Sequence, residues 1–426
     1  METAILFGIF ISLFCLNVPI AVSLATAAII VLAATSDFSL YMIAQRMFAS
    51  LLSPPLLAIP SFVFAGVVMS HGGISKYLIA ALRTWVGHLP GGLAVVTICA
   101  CAIFAAISGS SPATAAAIGA IMLPAMIENG YSKRYAMGLV AASGTLGILI
   151  PPSVTMVIFG IVAEYSIGEL FAAGMIPGII LAGILVVSAI IYAQRQKMTK
   201  TVKATWPERW KATVKALPGM FLPFFILGSI YSGIVTPTEA AVLSVFYTLI
   251  VSIFVYRELK WGGIRKILVE SINISSMIYL IIAAAMVFSL FLTANQIPQQ
   301  VLLAITKAKV SKWMFFFVTQ LMFFVMGTFL EAVSITLITL PILLPVIRAL
   351  DIPIVQFCVV MTVNMELAMI TPPVGLNLFV VSAMAKEKLE EVVKGVWPFL
   401  VIMVAALILF VVWPDVSTFL PSRMRL

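Results

Sequence analysis

The sequence predicts an all-α polytopic membrane protein that contains the same structural unit twice. Hydrophobic residues make up 62% of the 426-residue chain and charged residues 10%, which leaves too little polar surface for a soluble protein of this size. Apolar runs of membrane-spanning length recur from Ile5 to Val416, and because they are continuous rather than alternating they exclude a β-barrel. Two proline pairs, Pro151-Pro152 and Pro372-Pro373, lie 221 positions apart and indicate a duplication.

A basic linker at 195–215 divides the chain into halves of near-equal length. It carries seven Lys or Arg residues and one acid, Glu208, so the positive-inside rule predicts a cytoplasmic position. The first repeat, 1–194, is predicted to contain a hairpin at about 108–128 and a broken helix at about 135–160. The second repeat, 216–426, is predicted to contain a hairpin at about 327–348 and a broken helix at about 353–381.

Small polar residues interrupt the apolar sequence of the first repeat at Ser108, Gly109, Ser110 and Ser111. Backbone groups cannot remain unpaired in lipid, so this turn must be buried in protein or line a watered cavity. We interpret it as the tip of a re-entrant hairpin. The alternative interpretation is a face of small residues on which two continuous helices pack.

The first proline pair is preceded by Gly144 and Gly147, which permit unwound backbone. Pro151 prevents the preceding helix from continuing, and a proline is well suited to the first turn of a new helix. Unwound carbonyls suit a cation, and the positive end of the new half-helix suits an anion. The alternative is a simple proline kink, which is common in membrane helices.

The corresponding places in the second repeat carry different side chains, including Glu331, Asn364 and Glu366. Hydroxyl, amide and carboxylate oxygens are hard ligands, which suit sodium rather than soft metals. An ionisable residue at membrane depth predicts a functional role. The alternative is that the two glutamates lie at interfacial ends and are simply solvated.

Five segments carry a resemblance to a known family: GGISKYLIAALRTWVGHLPGGLA, FAAISGSSPATAAAIGAIMLPAM, GYSKRYAMGLVAASGTLGILIPPS, TPTEAA and LDIPIVQFCVVMTVNMELAMITPPVGLNLFVV. They resemble the large membrane subunit of tripartite ATP-independent periplasmic (TRAP) transporters, in the family's order over nearly the whole chain. The resemblance implies two inverted repeats with re-entrant hairpins and broken helices, arranged as elevator-type transport and scaffold domains. It implies a secondary transporter, not an enzyme, in the bacterial inner membrane.

The resemblance also implies a substrate and partners. Uptake would be symport driven by a sodium gradient, with sodium as the coupling ion and no organic cofactor. The substrate would be an organic acid such as sialic acid or a dicarboxylate, delivered by a soluble periplasmic substrate-binding protein. A small four-helix membrane subunit would be a separate chain in the same bilayer, and no nucleic-acid partner is expected.

Carried over to this sequence, the family's pattern implies three groups of site residues. The first sodium site would comprise Ser108, Gly109, Ser110, Ser111, Gly144, Thr145, Gly147 and Pro151. The second would comprise Gly327, Thr328, Glu331, Asn364, Glu366, Thr371 and Pro372. The substrate would contact Ser110, Ser111, Pro152, Ser153, Pro373, Gly375 and Asn377. The second hairpin reads GTFLEA where the family commonly has an Asp after Gly-x-Phe, so this sequence departs from the family's pattern next to Glu331.

Three other classes of protein share some of these features. A sodium-coupled carboxylate carrier could work without a binding protein. An ion channel also uses repeated polar breaks, although channels usually repeat a pore loop in parallel around an axis. An intramembrane protease would need a Ser-His pair or two aspartates at membrane depth, whereas His71 and His88 lie beside loops.

Overall fold

The computed structural model describes residues 2–35, 38–198 and 203–424, and these residues form helices without a β-strand. The prediction of an all-α polytopic protein is confirmed. The α-helices are α1 Glu2–Cys15, α2 Ile20–Thr35, α3 Leu40–Ser50, α4 Ala58–His71, α5 Ile74–Val86, α6 Gly92–Ser108, α7 Ser111–Glu128, α8 Lys133–Thr145, α9 Val154–Ala163, α10 Ile167–Arg195, α11 Trp206–Tyr231, α12 Pro237–Ile250, α13 Trp261–Ala294, α14 Ile297–Lys307, α15 Lys312–Gly327, α16 Ala332–Ala349, α17 Ile354–Met369, α18 Leu376–Ala385, α19 Leu389–Val412 and α20 Asp415–Arg423.

The helices of the second half repeat those of the first at the offset of the proline pairs. Shifting α7 by 221 residues gives 332–349, which are the bounds of α16. The same shift places α6 on α15, α8 on α17, α9 on α18 and α10 on α19, with ends that differ by a few residues. The amphipathic helix α5 falls on α14 in the same way. The duplication therefore extends well beyond the two proline motifs.

Counting the crossings between equivalent helices predicts that the repeats are inverted. Eight helices in the described part of the chain are long and apolar enough to span a membrane, and they include α10, α11, α12 with its π-helical end, and α13. With the broken helix α8–α9 counted as one crossing and a hairpin as none, five crossings separate the start of α8 from the start of α17. An odd number reverses the direction of the equivalent helix.

The two repeats differ where their prolines differ. Pro54-Pro55 begins a short 3₁₀ helix that separates α3 from α4, because a proline cannot continue the hydrogen-bond ladder of a helix. The equivalent positions in the second half are Ser275 and Ser276, and there α13 runs unbroken through 34 residues. Residues 4–35 and 219–256 are long apolar stretches with at least one proline in each, and the structure divides each between two helices, α1 and α2 in the first and α11 and α12 in the second.

The second half of the predicted linker at 195–215 is helical. Its positions 199–202 lie outside the described residues, but α10 extends to Arg195 and α11 already begins at Trp206. Thr205 and Glu208 form a capping box, and Pro207 occupies the first turn, a combination that starts a helix strongly enough to include a basic, polar segment.

The broken helix of the first repeat is held against the second repeat by a contact between two glycines. Helices α8 and α19 pack side by side, and a Cβ added to Gly138 would overlap with the carbonyl of Gly395. Small residues allow membrane helices to approach closely and gain dispersion contacts, since there is no hydrophobic driving force between them in lipid.

We therefore expect Gly138→Ala to lower stability by about 1–3 kcal/mol, because it overpacks a backbone-to-backbone contact. The matched control is Gly183→Ala on α10, where an added Cβ would have no neighbour within 4 Å. Denaturant unfolding in a mild detergent measures both variants. Equal stability of the two variants would contradict the close packing of α8 on α19.

Candidate functional site

The small polar segment of the first repeat is the tip of a helical hairpin whose arms are α6 and α7. The first arm ends at Ser108, Gly109 adopts a left-handed conformation with φ 58°, and Ser110 is extended. Pro112 lies in the first turn of α7. The predicted hairpin at about 108–128 therefore contains the tip and the second arm only, since α6 is uniformly apolar and gives no sign in the sequence that it belongs to the hairpin.

Hydrogen bonds between side chains and backbone close this tip. The Thr114 hydroxyl donates to the Ser110 carbonyl at 2.8 Å, and Ser108 lies 2.8 Å from the Thr114 hydroxyl. Because Thr114 has only one hydroxyl proton, Ser108 is the donor of that second bond. Ser108, Ser111 and Thr114 are all buried, so the polar groups of the tip are satisfied within the protein, as a turn at membrane depth requires.

The tip packs against the break in the helix α8–α9, and glycines make the contact possible. A Cβ added to Gly147 would lie 2.6 Å from the Ser110 carbonyl oxygen, and one on Gly144 would lie 2.6 Å from the Ala115 Cβ. Gly109 approaches the Pro152 carbonyl in the same way, at 2.9 Å. These contacts bring the tip residues of the predicted first sodium site to its helix-break residues.

The break itself is completely covered. α8 ends at Thr145, which is buried and donates its hydroxyl to the Ala142 carbonyl at 2.8 Å, and a 3₁₀ turn follows at Leu146–Ile148. Pro151 and Pro152 are buried, and Ser153 caps α9 by accepting the Met156 amide. The half-helix α9 thus begins inside the protein, where its free amide groups have little access to water.

The first turn of α18, which belongs to the second repeat, contacts the tip of hairpin 1 and the end of α8. Asn377, in the first turn of α18, donates to the Ser111 hydroxyl at 2.7 Å and to the Ala141 carbonyl at 3.1 Å. Its amide oxygen is buried and has no hydrogen-bond partner among the described residues. Ser111 and Asn377, both predicted substrate residues, are therefore direct neighbours although 266 positions separate them.

Each repeat packs its second half-helix against the hairpin of the other repeat. α18 packs against α7, the second arm of hairpin 1, and α9 packs against α16, the second arm of hairpin 2. Each half-helix therefore lies beside the hairpin of the opposite repeat, as a two-fold relation between the repeats requires. The hairpins and broken helices form one interlocked unit.

Hairpin 2 has α15 and α16 as arms, so the predicted segment at 327–348 again omits the first arm. Gly327 ends α15 where an added Cβ would overlap with the Ala368 Cβ on α17. Thr328 donates to the Val325 carbonyl at 2.8 Å, and Glu331 immediately precedes α16. No described hydrogen bond or ion pair joins Glu331 to Glu366, so their common role in one site remains a prediction.

Asn364 and Glu366 are buried on α17 but project from different sides of it. Asn364 donates to the Gln320 carbonyl on α15 at 2.9 Å, and two residues turn a helix by about 200°, so Glu366 points away from α15. Both Glu366 carboxylate oxygens, the Asn364 amide oxygen and both polar atoms of the Gln320 side chain lack partners within the described part of the chain. Gln320 was not predicted, because it lies in the middle of an apolar run.

The two helix breaks differ in exposure. Pro151, Pro152 and Ser153 are buried, whereas Pro372, Pro373 and Val374 are exposed; Thr371 is half-buried and donates to the Leu367 carbonyl at 2.7 Å, and Gly375 is buried with φ 51°. The bond between the two prolines is cis in both pairs. In the isolated chain the break of the second repeat therefore lies at the surface, and that of the first does not.

Comparisons of the sequence find one family over almost its whole length. Residues 7–416 match the family of the tripartite ATP-independent periplasmic transporter, DctM component. The C4-dicarboxylate TRAP transporter large permease protein of Pseudomonas aeruginosa is 42% identical over 86% of both chains. The isethionate TRAP transporter permease protein of Oleidesulfovibrio alaskensis is 38% identical over 97% of this chain and 66% of its own length.

A solved structure supports the fold independently of sequence. The crystal structure of the Alcanivorax borkumensis YdaH transporter, described as having an unusual topology, matches 89% of this chain and 90% of its own with a TM-score of 0.60. Its sequence identity is only 11%, so the likeness concerns the arrangement of helices and not the substrate.

We expect the hydrogen bond between Ser111 and Asn377 to contribute about 0.6 kcal/mol of coupling, with an upper value of about 1.7, which is the range for hydrogen bonds between membrane helices. A double-mutant cycle of Ser111→Ala and Asn377→Ala in denaturant unfolding measures it. Additive effects of the two substitutions would show that hairpin 1 and α18 are not energetically joined here.

Proposed function

Because the chain belongs to the DctM family, the large permease component of TRAP transporters, we propose that it carries a small organic anion across the bacterial inner membrane in symport with sodium. Its partners would be a small four-helix membrane subunit and a periplasmic substrate-binding protein. A multi-pass helical chain is the part of such a system that can form the path through the bilayer.

A carboxylate is the substrate group that this site suits best. The relative with 42% identity is named for C4-dicarboxylates and the one with 38% identity for isethionate, a sulfonate; both substrates are anions. The half-helices α9 and α18 direct their positive ends toward the two breaks, and such ends favour negative charge. We propose a C4-dicarboxylate first, with sialic acid as a larger alternative.

The observation that carries the proposal is the contact between Ser111 and Asn377. It joins the tip of hairpin 1 to the first turn of α18, and it leaves the Asn377 amide oxygen buried and unpaired among the described residues. Exposed Pro373 lies in the same break. A substrate carboxylate bound beside α18 would meet Ser110, the Ser111 hydroxyl and the backbone amides at the start of α18 as donors, and exposure of the second break favours entry from that side. Both amide protons of Asn377 are already donated to Ser111 and Ala141, so Asn377 would position Ser111, and its free oxygen would suit a cation or a hydrogen-bond donor of the substrate.

Sodium would occupy the two helix breaks. In the first, hydroxyls and carbonyls from the hairpin tip and from 144–151 converge in a buried setting that offers hard oxygen ligands. Near the second, Glu366 is fully buried with both oxygens unpaired within the described residues. An isolated buried carboxylate is strongly unfavourable, so it needs either a cation or a proton, and we propose sodium.

Transport would follow an elevator motion. The two hairpins and two broken helices hold each other reciprocally through α7–α18 and α9–α16, so they would move as one body that carries the sites. The scaffold would comprise the remaining long helices and the amphipathic α5 and α14. This division is favoured because a packed unit shifts between discrete positions rather than deforming continuously.

Replacement of first-site oxygens should weaken sodium coupling. We expect Thr145→Val and Ser110→Ala to raise the sodium concentration for half-maximal uptake about tenfold, equivalent to about 1.4 kcal/mol of binding free energy. Ser188→Ala on α10 is the matched control, because Ser188, like Thr145, donates to its own helix, in this case to the Leu185 carbonyl. Uptake of labelled C4-dicarboxylate is measured in proteoliposomes with both partner proteins.

The same assay separates the proposed function from its alternatives. Uptake that persists without the binding protein would indicate an independent carrier, and uptake that does not saturate with substrate would indicate a channel. Unchanged sodium dependence in both variants would remove the first sodium site from the proposal.

Glu366→Gln tests the proposed role of the buried carboxylate. If Glu366 balances a sodium ion, the neutral amide should abolish the sodium dependence contributed by the second site and reduce uptake at least about tenfold at fixed sodium. The control is Glu128→Gln at the exposed end of α7. Wild-type sodium dependence in Glu366→Gln, at normal expression, would show that the carboxylate does not balance sodium.

A further inference from the structure

A cluster of aromatic and basic side chains lies where α5 meets the beginning of α11, away from the hairpins. The Trp85 and Trp206 rings are 5.7 Å apart in an edge-to-face arrangement, and the Arg209 guanidinium lies 5.4 Å from the centroid of the Trp85 ring. The Trp85 indole donates to the Thr213 hydroxyl at 2.8 Å. These contacts fix the position of the guanidinium.

Two donor atoms of the Arg209 guanidinium lack a hydrogen-bond acceptor in the part of the chain that the structure describes. Its Nε and Nη2 atoms are buried and have no hydrogen-bond partner among the described residues. A buried donor that lacks an acceptor is unfavourable, and more so when the group is charged. The planar fork of an arginine matches the oxygens of a phosphate or carboxylate in two parallel hydrogen bonds. The cluster is therefore prepared for an anion.

The cluster lies at the end of an exposed apolar stripe. Exposed apolar residues follow one face of α11 at spacings of three and four residues: Trp210, Val214, Leu217, Phe221 and Phe224. The stripe is about 21 Å long at 1.5 Å per residue, a length that an acyl chain can follow. Tryptophans concentrate at the depth of lipid headgroups, so Trp206 and Trp210 place Arg209 at that depth.

The surrounding charge is positive. The first part of α11 and the residues before it carry Lys203, Lys211 and Lys215 besides Arg209, and the single acid there, Glu208, is engaged by the Thr205 amide at 2.8 Å. On α5, Lys76 pairs with Glu258 at 2.8 Å and lowers the pKa of that carboxyl, so Glu258 is already balanced by a cation of its own. Basic residues at the membrane surface attract anionic lipids.

We propose that Trp85, Trp206 and Arg209 form a binding site for the phosphate of an anionic phospholipid. The Arg209 guanidinium donates to two phosphate oxygens, the indole rings flank the glycerol region, and one acyl chain lies along the stripe of α11. The lipid would fix α11 and α5, two scaffold helices, to the membrane surface on the side of the basic linker.

The test uses the purified full-length chain in a neutral detergent, titrated with phosphatidylglycerol or phosphatidylcholine, with thermal unfolding as the readout. We expect phosphatidylglycerol to stabilise the protein and phosphatidylcholine to do so much less. Arg209→Gln should weaken the phosphatidylglycerol effect about tenfold. Because each variant is compared with itself in the two lipids, a general loss of stability does not affect the result.

Lys211→Gln is the matched control, since it removes one positive charge from the same turn of α11 without touching the Trp85 cluster. It should retain the phosphatidylglycerol effect, and Arg209→Lys should retain only part of it. Equal losses in Arg209→Gln and Lys211→Gln would overturn the proposal in favour of diffuse charge attraction. Stabilisation by inorganic phosphate alone, equal to that by phosphatidylglycerol, would also overturn it, because the acyl chain would then contribute nothing.

Discussion

The functional part of this protein depends on backbone-to-backbone contact between the tip of hairpin 1 and the broken helix α8–α9. At Gly144, Gly147 and Gly109 an added Cβ would approach neighbouring atoms to within 2.6–2.9 Å, so side chains would force the hairpin out of the break. The absence of side chains lets the carbonyls and hydroxyls of both elements face each other at membrane depth. Polar backbone is tolerated in a bilayer only under such mutual burial.

The duplication could be predicted from the sequence because proline and glycine act locally. The pairs that begin at Pro151 and Pro372 each interrupt a helix, since a proline removes a backbone hydrogen bond and clashes with the preceding turn, so their spacing revealed the offset that the helices follow. A local signal also marks the start of α12: the sequence TPTE has a Thr three residues before a Glu with a proline at the first helical position, and the structure has a capping box there. The first arms of the hairpins were not assigned to them, because α6 and α15 are apolar helices whose partners are decided by tertiary packing.

The parts of the site that were missed depend on contacts between distant residues. Nothing near Asn377 in sequence indicates that it bonds Ser111, since that contact follows from the reciprocal packing of α18 on α7. Gln320 was missed for the same reason: its carbonyl receives the Asn364 amide from another helix. The sequence also could not distinguish the buried first break from the exposed second, because burial depends on how closely the neighbouring hairpin covers each break.

The neighbouring helices cover the two helix breaks of the duplicated unit to different extents. Hairpin 1 covers the first break, while Pro372 and Pro373 remain exposed at the second. The reciprocal contacts of α7–α18 and α9–α16 join the hairpins and broken helices into one unit, so the covered first break and the exposed second break keep their relation to each other wherever that unit lies. The unequal covering is therefore a property of the unit itself, and it leaves the start of α18, rather than that of α9, as the half-helix end that a ligand from outside the unit can approach.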